Sequence, residues 1–312
     1  MTYAKPINQG KALKNISSIL CISLAISMIY FGNSIKDSIY RGLLFSLTTI
    51  IPTLFPFFIL SDLWTTFFYV DPYGKIFRGF EKVFRASGYG ITALISGFVC
   101  GFPIGVKVLS ELYREGKITK EEFEYLSGFV NNPSLAFVIS GVGAGIYNDI
   151  KIGVLLYLAV VSSSIITGFI FRLQSIKHSK TKENSWQTFD FTKSIKNAGL
   201  SSINVVSCII FFSGLIGFIS SIINNDVIVG AISLVLEVTN AVELIFNAEH
   251  LSLSYKLILT SFALGFSGFS VHIQTFGFIP KEISKAKYLL MKTVQGILSS
   301  TLIFLLFFYK QK

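Results

Sequence analysis

Residues 96–134 read SGFVCGFPIGVKVLSELYREGKITKEEFEYLSGFVNNPS, two helix breakers inside apolar sequence, and the fold turns on how they are read. An apolar run enters from Ile91 and breaks at Gly101-Phe102-Pro103-Ile104-Gly105. It leaves as a charged helix carrying Lys107, Glu111, Arg114 and Glu115. A second apolar segment then opens and breaks at Asn131-Asn132-Pro133. In a bilayer, unpaired backbone groups at such breaks cost several kcal/mol unless they are buried in protein or line a wet cavity. The pair of breaks therefore points to a solute site. The alternative is that Gly and Pro merely kink ordinary spans.

The rest of the chain supports a membrane reading. Of 312 residues, 52% are hydrophobic and 14% charged, where a soluble domain carries about 25% charged residues. Mean hydropathy is +0.64. Apolar stretches near span length recur throughout, which makes the chain a polytopic all-α membrane protein. The net charge of +10 does not point to nucleic acid, because the basic residues sit in short loops between apolar runs and set orientation there. Cys21, Cys100 and Cys208 lie in apolar segments at unrelated spacings, so neither a disulfide framework nor a zinc site follows.

Residues 1–40 read as a basic N-terminal segment and a first span over Ile16–Phe31, with the N-terminus cytoplasmic; a signal peptide is the alternative, but no small-residue cleavage site follows. Next come an apolar run over 42–60, a basic loop over 71–88, the broken segment 90–124, a run over 125–147 and a clean span over 152–171. A polar linker, 173–194, precedes four more runs at 199–223, 227–247, 255–279 and 289–309. The order of four segments is thus the same in 41–172 and 195–312. Ser96 before FVCGFPIGV matches Ser233 before LVLEVTNAV. If all four segments of a repeat crossed, the basic linker would lie outside, against the positive-inside tendency. If the second segment of each repeat dips in and returns, then 71–88, 107–124, 172–198 and 280–288 all face the cytoplasm. Connections 32–40, 148–151, 224–226 and 248–254 then face outward. Three spans and one re-entrant hairpin per half make the repeats inverted, as in many secondary transporters.

The motifs carry a family likeness. GFPIGVKVLSELYREGKITKEEFEYLSGFVNN closely resembles the signature of sporulation integral membrane proteins of the YlbJ (SpoVV) type, with Phe102 where Tyr is usual. LEVTNAVELI and GFSGFSVHIQ resemble two further segments of that family. The resemblance implies a nucleoside recognition or gate domain, a fold similar to concentrative nucleoside transporters, and movement of dipicolinic acid across the outer forespore membrane of a sporulating bacterium.

The expected hairpin tips are CGFPIG (Gly101, Phe102, Pro103, Gly105) and LEVTN (Glu237, Thr239, Asn240). Beside them lie breaks carrying Asn131, Asn132 and Ser134, and Ser270 with His272 and Gln274. Half-helix N-termini at breaks suit a carboxylate, and Lys107 adds a charge near the first tip unless it snorkels to the interface. Glu237 sits mid-run, where burying a carboxylate costs roughly 2.5–3.5 kcal/mol on insertion scales, so it reads as a pathway or ion-binding residue, with a cross-helix pair as the alternative. His272 reads as a proton-coupling or substrate group, or as a satisfied structural histidine.

The expected protein is therefore a carrier of a small anion, with a proton or Na+ as the candidate coupling ion, no cofactor, and a homo-oligomer as a candidate assembly. No HExxH, GxSxG or paired-His spacing marks an enzyme. A nucleoside carrier and a non-transporting spore-envelope scaffold are the alternatives.

Overall fold

A computed structural model describes residues 18–310 apart from 20, 21, 24, 28, 68–74, 173–189 and 224. Most of the linker expected over 173–194 lies outside the described residues, as do six positions of the expected first span over 16–31; the other positions of that span are helix up to a turn at Phe31. What is described is helical throughout, with no strand. Among the described residues, five helices are long and apolar enough to cross a membrane: Gly32–Leu60, Ile150–Ile170, Phe191–Ile222, Leu253–Phe276 and Lys285–Phe307. The chain is a polytopic membrane protein in its architecture as in its composition.

The first long helix joins α1 (Gly32–Phe45) to α2 (Ile51–Phe67) through a π-helical stretch, Ser46–Ile50. The expected connection at 32–40 is thus helix. Its residues are held by α8 (Phe191–Ile222), on which α1 packs closely. Small residues allow the approach: a Cβ at Gly214 would meet Ile39, one at Gly217 would meet Ser38, and Gly42 lies against Ser213. The expected loop 71–88 also folds differently. It contains α3 (Lys75–Phe84), which meets α4 (Tyr89–Cys100) at a bend of 87°. Phe80 and Phe84, one turn apart, are buried, and Phe84 stacks on Phe129 at 5.3 Å, while Arg78 and Lys82 stay exposed. The amphipathic spacing wins over the loop-like charge density.

The decisive stretch folds as α4, a break, and α5 (Ile104–Arg114). At about 1.5 Å per residue these helices are about 18 Å and about 16 Å long, too short to cross an apolar core of about 30 Å singly. They lie side by side, with Gly97 and Gly105 facing each other across the carbonyl of Val130. Next comes α6 (Lys120–Val130), opened by a capping box between Thr119 and Glu122. The run 125–147 breaks where expected: residues 131–134 are extended, and a π-helical segment, Phe137–Ile146, follows. Pro133 cannot continue a helix, and Asn132 and Ser134 take up the freed backbone groups with their own side chains. α7 (Ile150–Ile170) matches the expected clean span.

The second half repeats this order. After α8 come two short helices, α9 (Asp226–Leu236) and α10 (Val238–Asn247), separated by one residue, Glu237. α11 (Leu253–Phe266) is broken from α12 (Gly268–Phe276) at Ser267, which has φ 78°. α13 (Lys285–Lys310) closes the chain and packs on α6, α7 and α11. Its crossing with α11 is close because Gly265 meets Gly296 and Ser261 hydrogen-bonds Ser299 at 2.7 Å.

Three of the basic connections meet at one end of the molecule. Ser87 N donates to Glu122 at 2.6 Å, Ser110 Oγ to Phe278 O at 2.8 Å, and Ser284 N to Glu124 at 3.0 Å. The end of α7 is there too, since Tyr125 donates to Gly168 O at 2.7 Å.

Candidate functional site

Each half makes one tip and one break, and a glycine with positive φ joins them. Gly101, with φ 83°, ends α4 before a cis Phe102–Pro103 bond. A Cβ there would stand 2.6 Å from Ser134 N, so the first tip rests on the first break. In the second half the glycine belongs to the break. A Cβ at Gly268, φ 74°, would stand 3.2 Å from the backbone of Glu237.

Both tips and both breaks line one cavity. Its wall holds Gly101, Phe102 and Ser134 from the first half, and Glu237, Thr239, Ser270 and Gln274 from the second. Apolar side chains fill in between them: Ile50, Leu54, Phe137, Val205, Ile209, Val238 and Val271. Its empty space, open mouth included, is about 390 Å³. Both π-helical segments contribute, through Ile50 and Phe137, and they lie against each other near Thr49 and Gly145. Wide helical turns of this kind concentrate at functional positions.

Glu237 is almost fully buried and is the N-cap of α10. Its Oε2 accepts from Asn240 N at 2.7 Å and Asn240 Nδ2 at 2.9 Å. Asn240 also donates to Ser213 of α8 at 2.8 Å, so it positions the carboxylate without lining the cavity. The same carboxyl group thus caps a half-helix and lines the cavity. Ser270 Oγ, buried on the wall, has no hydrogen-bond partner. Pro103, Gly105 and Lys107 do not line the cavity; the Lys107 side chain is half-buried on α5.

Asn131, Asn132 and His272 belong to a second polar centre, on the far side of α12 from Ser270 and Gln274. Asn131 Nδ2 donates to Thr275 Oγ1 and to Tyr288 Oη, both at 2.9 Å, and His272 Nδ1 pairs with the same Tyr288 Oη at 3.0 Å. Lys292 Nζ donates to Asn131 O at 2.8 Å and Gln295 Oε1 at 2.9 Å, and Gln295 Nε2 donates to Asn132 Oδ1 at 2.7 Å. All of these side chains are fully buried. Tyr288, Lys292 and Gln295 escape a reading that takes 289–309 as an apolar run. Their spacing of four and three residues on one helix face is the signal that could have found them.

Fold and cavity define a polytopic helical membrane protein in which broken helices from both halves meet at an internal cavity. The sequence is similar to the sporulation integral membrane protein YlbJ of Bacillus subtilis (strain 168), 26% identical over 343 aligned residues that cover 94% of this chain and 84% of that protein. This similarity supports the YlbJ-type assignment read from the motifs. No family model matches the chain, and no solved structure matches it significantly.

Proposed function

We propose that the chain is a secondary carrier of a small solute, acting in a sporulating bacterium, with its two halves as inverted repeats and the α4–α5 and α9–α10 pairs as re-entrant hairpins. The observation that carries this reading is the single cavity walled by two tips and two breaks, one of each from either half. Irregular backbone inside a membrane is tolerated where it lines such a cavity, and alternating access works by rocking one repeat against the other around it.

The YlbJ-type likeness makes dipicolinic acid the first solute to test, in the outer forespore membrane. Glu237 sets a condition on that assignment. A dianion beside its carboxylate needs a proton or a cation bound with it, because two unscreened negative charges in a low-dielectric site repel strongly. A second reading is favoured by the cavity wall itself: among the described residues it holds Glu237 and no lysine, arginine or histidine. That lining suits a neutral solute with hydrogen-bond donors, of which a nucleoside is the type.

Purified protein in proteoliposomes, screened for uptake of dipicolinate, nucleosides and other small carboxylates, tests both. Saturable uptake of dipicolinate that increases with a proton or cation gradient supports the first reading. Saturable nucleoside uptake supports the second. Uptake of none of them at verified insertion favours a non-transporting scaffold of the spore envelope.

A further inference from the structure

The second polar centre has a buried lysine that the carrier reading does not use. Lys292 lies fully buried two turns into α13, and its side-chain nitrogen has no carboxylate within ion-pairing distance among the described residues. Its two partners are neutral oxygens, Asn131 O at 2.8 Å and Gln295 Oε1 at 2.9 Å. Asn131 is the C-cap of α6, whose helix ends in mid-structure. Its backbone is extended, with ψ 91°, so its carbonyl belongs to the unwound stretch after the helix and has no intrahelical partner. Phe129 O is served by Asn132 Nδ2 at 2.7 Å and Ser164 Oγ at 2.5 Å. Among the described residues Asn131 O is served by Lys292 Nζ alone.

Carbonyl ends of broken half-helices are where ion-coupled carriers bind sodium or protons. We propose that Lys292 is a tethered cation: its ammonium occupies, at the carbonyl end of α6, the place a free monovalent cation would otherwise take, so this break holds its shape without sodium. The inference rests on the carrier reading only for its meaning, that solute movement draws on no sodium ion at this break. Its geometry stands without it. Titratable neighbours do not supply a competing charge. His272 reaches the centre through Tyr288, Tyr125 of α6 turns its hydroxyl to Gly168 O, and α7 presents Ser164 and the Val160 carbonyl.

The test uses purified full-length protein and thermal melting, with sodium exchanged for choline at equal ionic strength. Wild type should melt at the same midpoint in both salts. Lys292→Ala should melt several degrees lower in choline, and sodium or propylammonium should restore most of the loss, whereas propanol, of similar size and uncharged, should not. Lys292→Met, which keeps the volume of the stem, should melt as low as the alanine variant and gain nothing from either cation. A wild-type midpoint that rises with sodium overturns the proposal. So does rescue by propanol equal to that by propylammonium, or a methionine variant as stable as wild type. If Lys292→Ala does not fold, the wild-type salt comparison and the methionine variant still decide. None of these readouts measures flux, so an empty uptake screen removes the carrier reading and leaves the tethered cation in place.

Discussion

Gly268 lies flat against the backbone of Glu237, so that a Cβ on the glycine would stand 3.2 Å from Glu237 N, Leu236 O and Val238 N. The first residue of α12, next to the break at Ser267, is thereby pressed onto the residue that breaks α9 from α10. Gly101 and Ser134 make the corresponding contact in the first half, with the glycine on the tip instead of the break. Cavity shape follows from these two contacts, because they set how closely each tip approaches its neighbouring broken helix.

Gly268→Ala should therefore lower stability by about 1–2 kcal/mol from the positive φ alone, with a further cost from the backbone contact. Gly101→Ala should cost more, since its Cβ would meet Ser134 at 2.6–2.7 Å. Thermal melting of the two variants beside an alanine substitution at Gly79, where nothing lies within 4 Å, measures the difference. Equal midpoints for all three would remove the tip-to-break contacts as a determinant.

Glu237→Gln should fold and insert, because the amide oxygen can still accept from Asn240 N, and a neutral amide is cheaper to bury than a carboxylate. Transport, or its dependence on protons or cations, should fall strongly. Glu237→Ala removes the cap of α10 as well and should cost about 1 kcal/mol more in stability. Flux and melting on the pair separate the two roles. Wild-type flux with unchanged ion response in the glutamine variant would make Glu237 a capping residue only.

Tyr288→Phe deletes the hydroxyl that joins Asn131 Nδ2 to His272 Nδ1 and leaves both short of a partner. A loss of about 1–3 kcal/mol is expected, the cost of leaving buried polar groups unpaired. Phe276→Leu, on the same ring cluster but without a hydroxyl to lose, serves as the packing control in the same melts.

Single cysteines at Lys82 and Lys120, both exposed, should be labelled by a membrane-impermeant reagent from the same side, and one at Glu249 from the opposite side. The expectation rests on the meeting of 85–88, 107–124 and 277–285 at one end of the molecule through Ser87–Glu122, Ser110–Phe278 and Ser284–Glu124. Labelling of residues 82 and 120 from opposite sides would mean that the α4–α5 pair crosses instead of returning.

Sequence alone determined the membrane class and the places where helices break. Those properties are local: apolar run length, a Gly-x-Pro or Asn-Asn-Pro interruption, and a mid-run carboxylate are each visible within about 20 residues. Gly101, Phe102, Ser134, Glu237, Thr239, Ser270 and Gln274 were nameable in this way, and they share one wall. Only the tertiary structure decided which breaks face which partners. It put Asn131, Asn132 and His272 with Tyr288, Lys292 and Gln295 instead of at the cavity, and it set Lys107 aside. The reason is geometric. α12 is only nine residues long, yet it divides the two centres: Ser270 and Gln274 lie on one face, His272 and Thr275 on the other. A lysine in an apolar run likewise looks like an expense until the run's neighbour is known, and that neighbour, the carbonyl of Asn131, lies 161 residues away in the chain.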